Sequence, residues 1–236
     1  MSYYYIFSKE ECWYKDHCTK FPEECKFGCT RHLEMHYLMS HSNLPKVKQY
    51  PVPLKPSKED MSAFKKLLKI KNDIKEWVKS GGSLYICSES FGNGKTTWAI
   101  KLLLKYFDEI WAGNGFKTKG IFIHVPTLLT QIKSNISNRN KDFEIMLEQL
   151  STADLVVWDD IAATKLSDYD HTNLLTLVDQ RLLSCLANIY TGNLVTEEAI
   201  NNALGKRLSS RIYSFENTIE FTGSDRRGQN GNLTNY

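Results

Sequence analysis

Apolar residues fall into two rhythms along this chain. Short uninterrupted runs, Leu84-Tyr85-Ile86-Cys87, Ile121-Phe122-Ile123-His124-Val125, Leu155-Val156-Val157-Trp158 and Ile189-Tyr190-Thr191, predict strands buried on both faces. Between them, apolar positions recur at helical spacing. Met61, Phe64, Leu67, Leu68, Ile74, Trp77 and Val78 predict one helix from Ser57 to about Val78, capped by Ser57 with Glu59 and Asp60 in its first turn. Further helices are predicted over Thr96 to Phe107, Thr127 to Ile136 behind Pro126, a segment after the polar stretch Ser134 to Asp142, and Asn173 to Leu186. Two short helices follow the last core strand, and Thr218 to Phe221 predicts an edge strand. Strands alternating with helices predict an α/β fold, a parallel sheet covered by helices.

Upstream of residue 59 the rhythm changes. Residues 1–44 are rich in Cys, His, Tyr and Glu, and Pro45, Pro51, Pro53 and Pro56 make residues 45–58 an extended tether. The expected division is a small module over 1–44, a linker over 45–58 and the α/β domain over 59–236. At 236 residues the chain suits one well-packed domain plus a smaller appendage. Its net charge of +3 permits nucleic-acid binding without demanding it. No apolar run reaches the roughly 18 residues that span a bilayer, and the first residues lack a signal peptide's basic start and apolar core, so no membrane partner and a cytoplasmic location are expected.

Chemistry concentrates first at Glu89-Ser90-Phe91-Gly92-Asn93-Gly94-Lys95-Thr96-Thr97, between a predicted strand and a predicted helix. Glycines there let backbone N–H groups close around phosphates, and the helix N-terminus adds its positive dipole end. Gly92, Asn93, Gly94, Lys95, Thr96 and Thr97 would hold the nucleotide. Lys95 would face the β- and γ-phosphates, and the Thr96 hydroxyl would sit on Mg²⁺. Glu89 stands where the full motif begins with glycine.

The third predicted strand ends in Asp159-Asp160. Ligands of parallel sheets gather at the carboxyl ends of the strands, so Asp159 is expected beside Thr96 on Mg²⁺ and Asp160 on the attacking water. Asn193, after the strand Ile189 to Thr191, would hydrogen-bond that water or the γ-phosphate. Arg207 and Arg211 lie one helical turn apart. Arg207 is expected to project from the face opposite its own phosphate loop, toward a γ-phosphate bound by a neighbouring subunit.

In this order, Gly92-Asn93-Gly94-Lys95-Thr96, Val157-Trp158-Asp159-Asp160-Ile161, Thr191-Gly192-Asn193 and Gly205-Lys206-Arg207 with Arg211 resemble the bacterial replicative helicase loaders of the DnaC/DnaI type. These are AAA+ ATPases, with insertion-sequence proteins of the IstB type as relatives. The resemblance covers roughly residues 59–228, and small size with a compact N-terminal module looks like phage-borne versions. It implies a P-loop AAA+ core with no C-terminal helical lid, ATP and Mg²⁺ as cofactors, and Lys95, Asp160, Asn193 and Arg207 as catalytic residues, Arg207 acting in trans. It also implies a replicative helicase and single-stranded DNA as partners, with self-assembly into a helix or ring. Ser167-Asp168-Tyr169 resembles a Ser-x-Tyr element for DNA, Ser167 toward phosphate and Tyr169 stacking on a base.

Cys12, Cys18, Cys25 and Cys29 place four thiols close together near the N-terminus, with His17, His32, His36 and His41 nearby. In a reducing cytosol such a cluster reads as a Zn²⁺ site. Two alternatives to an ATP-dependent loader stand beside it. A nucleotide-gated adaptor that hydrolyses ATP poorly is favoured by Glu89, and an IstB-like ATPase would serve a transposase.

Overall fold

The computed structural model describes residues 15, 18, 21–25, 29–45, 54, 56–113, 115–163 and 165–223. Five strands, β1 (Ser83–Cys87), β2 (Gly120–His124), β3 (Leu155–Asp159), β4 (Ala187–Gly192) and β5 (Thr218–Glu220), form one sheet in the order β2-β3-β4-β1-β5. Every pairing is parallel, and the register sets Ile86 beside Thr191 and His124 beside Asp159. The continuous apolar runs are explained by cover on both faces, because β3 and β4 are buried along their whole length.

Alternate residues of each strand feed two cores. On one face Leu84, Ile86, Phe122, Leu155, Val157, Ile189 and Ile219 meet α1 (Thr30–Ser40), α2 (Met61–Asn72), α3 (Ile74–Lys79) and α4 (Lys95–Ile110). On the other, Tyr85, Ile121, Ile123, Val156, Trp158 and Tyr190 meet α5 (Val125–Ser137), α6 (Lys141–Thr152), α7 (Asp168–Leu183) and α8 (Glu197–Ile212). The second core contains Arg181, wholly buried. Its guanidinium donates to Asn188 Oδ1 at 2.7 Å and to the carbonyls of Leu150, Ala153 and Ala187 at 2.7–2.8 Å, tying α6 and α7 to β4. Burial pushes its pKa down to about 10, against the opposing pull of Tyr190 and Asp154.

Three elements differ from the expectation. The long helix expected to Val78 breaks at Asp73, which separates α2 from α3. Asp60 precedes that helix, and its carboxylate is spent on the chain leaving β5, accepting from Thr222 N at 2.8 Å and Gly223 N at 3.0 Å. Helix α1 was not foreseen. Met35, Leu38, Met39 and Leu44 are buried in the first core, so this helix packs on the α/β body and does not stand apart from it. The chain after it covers the exposed edge of the sheet: Ser42 O accepts from Phe122 N at 2.7 Å, and Asn43 Nδ2 donates to Phe122 O at 3.1 Å. Among the described residues no helix is long and apolar enough to cross a membrane, and none follows β5.

Candidate nucleotide site

The site is built where β1 turns into α4. Gly94, the residue before the helix, holds φ 103°, a conformation open to glycine and costly for other residues. Ser88 organises the loop: its Oγ accepts from Ser90 N at 3.1 Å and from Asn93 Nδ2, and Asn93 is wholly buried. Lys95, 7% exposed, is wrapped by its own loop. Its Nζ donates to Ser90 O at 2.9 Å and lies 3.5 Å from Ser88 O and Asn93 Oδ1. An anion entering the loop would meet this ammonium and the backbone N–H groups around it. Gly92 is also left-handed, at φ 72°, and Thr97 is half-buried in the first turn of α4. The side chains of Glu89, Ser90 and Phe91 are exposed.

The residue after Lys95 meets a buried acid held by two hydroxyls. Thr96 Oγ1 donates to Asp159 Oδ1 at 2.7 Å, and Thr191 Oγ1 donates to the same oxygen at 2.7 Å. Asp159 and Thr191 are buried, so this carboxylate is ordered from β3, β4 and α4 together. A carboxylate and a hydroxyl are hard oxygen donors of the kind Mg²⁺ takes, so Thr96 and Asp159 fit that ion. The next residue turns sharply: Asp160 has φ 57°, its N–H held by Thr191 Oγ1 at 3.0 Å. This left-handed turn brings the Asp160 carboxylate out of the sheet, partly exposed. Asn193 follows β4, half-buried, and its Oδ1 is buried with no hydrogen-bond partner among the described residues.

Sequence reasoning missed three members of this group. Ser88 carries no motif signal, and Thr191 was noted only as part of Thr191-Gly192-Asn193 with no role of its own, because a hydroxyl beside a glycine loop or inside a strand is commonplace. His124 ends β2, with Nε2 3.8 Å from Asp160 Oδ2 and Nδ1 2.8 Å from Thr127 Oγ1. Only the strand register, which sets His124 beside Asp159, would have found it.

The sequence matches no family model and no curated protein. Solved structures do match. The DnaC helicase loader superposes with a TM-score of 0.60 at 17% identity, over 72% of this chain and 94% of that one. DnaI gives 0.58 at 16% identity, over 78% of this chain and 94% of that one. The replication initiator DnaA bound to AMPPCP and single-stranded DNA gives 0.55 at 13% identity, over 76% of this chain and 50% of that one. The fold is that of the DnaC-type helicase loaders. It is an α/β fold, a parallel sheet covered by helices on both faces, as the element order implies.

The other residues singled out from the sequence are arranged around this α/β core. Helix α8 packs on the face of the sheet opposite α4, and it kinks at Gly205, φ 74°, just before Lys206 and Arg207. Arg207 is exposed with no ion-pair partner for its guanidinium among the described residues. Arg211 differs, because its Nε is paired with Asp179 of α7 and its Nη1 donates to Arg207 O at 2.9 Å. Ser167 caps α7: its Oγ accepts from Asp170 N at 3.2 Å and donates to Asp170 Oδ2 at 2.6 Å. Tyr169, in the first turn, is 44% exposed.

The zinc expectation finds no support. Among the described residues no three His, Cys, Asp or Glu side chains gather to hold a metal. Cys18 and Cys25 are half-buried thiols, Cys29 is an exposed one directly before α1, and Cys12 lies outside the described residues.

Proposed function

We propose that this chain is an ATP-dependent loader of a replicative helicase, acting in the cytoplasm on single-stranded DNA. The single observation that carries the ATP reading is Asp159 Oδ1 accepting from Thr96 and Thr191 at 2.7 Å each, with Thr96 directly after the buried Lys95. Two hydroxyls on one oxygen pre-aim a carboxylate at a cation's position. Bound Mg²⁺ would supply charge neutralisation of the phosphates. Gly92, Asn93, Gly94, Lys95, Thr96 and Thr97 would bind and orient the triphosphate. Asp160, beside His124, is set to accept a proton from a water that Asn193 orients, and Arg207 is offered to the γ-phosphate of a neighbouring copy. The replication role is supported by the shared fold with DnaC and DnaI and by the resemblance of the motifs.

Lys95→Ala should lose tight ATP binding, because a buried cation facing the phosphates is removed. Asp160→Asn should bind ATP and lose turnover by roughly a hundredfold or more. Titration with a fluorescent ATP analogue and a steady-state phosphate-release assay, with and without single-stranded DNA, separate the two. Arg207→Ala mixed with Lys95→Ala should regain turnover, since each supplies what the other lacks. Unchanged hydrolysis in Lys95→Ala would sink the ATPase reading. Glu89 favours one alternative, an adaptor that binds ATP and hydrolyses it poorly, which tight binding without DNA-stimulated turnover would establish. Capture of a transposase in place of a helicase in a pull-down would establish the IstB-like role.

A further inference from the structure

Helix α2 carries the most one-sided charge in the molecule. It holds Lys65, Lys66, Lys69 and Lys71 and no acid, an excess of four that exceeds the net +3 of the whole chain. No other helix among the described residues has an excess of more than one positive charge, and α6 and α7 are net negative. Of the acids at its ends, Asp60 is turned toward Thr222 N and Gly223 N, and Asp73 stands past the last turn. The helix dipole accounts for Lys69 and Lys71, which lie in that last turn, but not for Lys65 and Lys66 at mid-helix.

Lys65, Lys66 and Lys69 are exposed and lie within about 100° of one another around the axis, away from the buried Ala63, Phe64 and Leu67. Lys71 is half-buried and close enough to Lys101 of α4 to repel it. Burial first, and that like charge second, hold Lys101 below the usual lysine value, while its ammonium lies over the Trp98 ring at 5.2 Å. An anion across the α2–α4 seam would relieve this repulsion. Phe64, the one aromatic of α2, is 4% exposed, so the surface offers charge without a platform for stacking bases.

We propose that the lysine face of α2, with Lys101 beside it, binds the phosphate backbone of duplex DNA without reading its sequence. A duplex fits better than a single strand, because it carries one negative charge about every 1.7 Å of axis and asks for no stacking. A run of cations with no acid among them matches phosphates, which carry one sign, better than a protein surface of mixed sign. Met61 and Leu68, the exposed large apolar side chains of α2, are too few to seat the helix in a bilayer. The surface lies on the face of the sheet opposite α7, which carries Tyr169 behind its Ser167 cap. It is therefore separate from that single-stranded DNA element and independent of the ATP-site reading.

The test is fluorescence anisotropy of the full chain with a short labelled duplex of mixed sequence, without nucleotide and across a range of salt, beside a single strand of the same length. Lys65→Gln/Lys66→Gln removes two mid-helix charges and keeps good helix formers, so the variant should melt with the native chain. Its duplex affinity should fall roughly tenfold, and the slope of log K against log salt should become shallower by about 1.8, the share of two phosphate contacts. Single-strand affinity should change less than about twofold. Lys101→Gln, from a different helix, should also weaken duplex binding severalfold. Lys117→Gln/Lys141→Gln, exposed and outside α2 and α4, changes the net charge equally and should stay within about twofold of native. An unchanged slope in the Lys65/Lys66 variant, or an equal loss in the Lys117/Lys141 variant, would overturn the surface. So would a native chain that binds no duplex, an equal loss of single-strand binding, or a native chain that leaves the duplex for vesicles of anionic lipid.

Discussion

Ser167 has two claims on it. Its hydroxyl is spent inside the protein, closing a capping box with Asp170, whereas Tyr169 two residues on is exposed and makes no comparable demand. Ser167→Ala should therefore lower stability by about 1 kcal/mol whether or not DNA is present, and Tyr169→Ala should leave stability nearly unchanged while weakening single-stranded DNA binding. Thermal melting and fluorescence anisotropy with an oligonucleotide read the two effects separately. Asp170 adds a pH signature. Burial raises its carboxyl, but hydrogen bonds from Lys133, at 2.7 Å, and from Ser167 outweigh that and hold it below the usual carboxylate range. A folded value below the unfolded one stabilises the protein above the unfolded value, and the contribution is lost as pH falls through the folded value. Asp170→Asn should flatten the dependence of Tm on pH below about 4 and lower Tm above it. An unchanged pH profile would mean that the Lys133 and Ser167 contacts carry no free energy.

At the scale of elements, Gly205 decides where the cations of α8 point. Its φ of 74° lies inside what is otherwise a helix, and an added Cβ would stand 3.1 Å from His171 Nε2 of α7. Gly205→Ala should cost about 1–2 kcal/mol and, by straightening or shifting Lys206 and Arg207, reduce assembly-dependent turnover more than ATP affinity. Equal losses in both would place the damage in the fold. The sequence foretold a break here only as two short helices, without saying that a glycine made it. The strands were legible because residues buried on both faces leave no polar alternation to confuse with a helix, as β3 shows. The turn from β1 into α4 was legible because its glycines leave a local mark, and Asp159 because it ends an unbroken apolar strand. Two things were hidden for definite reasons. Helix α1 shows only Met35, Leu38 and Met39 as an apolar stripe, amid His32, His36 and His41 that read as metal ligands. His124 reaches Asp160 only through the pairing of β2 with β3, a relation between distant segments that no local pattern carries.

At the scale of the whole molecule, the described residues ahead of the α/β core pack on it. The helix Thr30–Ser40 lies on α4 and the chain after it seals the β2 edge, while Arg31 pairs with Asp108 and stacks over Trp111 at 5.0 Å. Further along, Leu54 packs against Gly94 at the foot of the phosphate loop, 3.4 Å from where a Cβ would stand. Residues before the α/β core thus touch both its edge and the loop between β1 and α4. A chain of residues 45–236, cut where composition changes, should be less stable than one of residues 29–236. Met35, Leu38, Met39 and Leu44 are each at most 7% exposed, and burying such a side chain is worth about 1.5–3 kcal/mol before the cost of ordering the helix is subtracted. A net loss of about 3 kcal/mol corresponds to a fall of about 10 °C in Tm for a protein of this size. It should come with exposed apolar surface on α4, detectable as dye binding, and with an unpaired β2 edge prone to association. Equal melting temperatures for the two fragments would mean that α1 contributes no net stability to the body, and the N-terminal region would then be free to move as a unit.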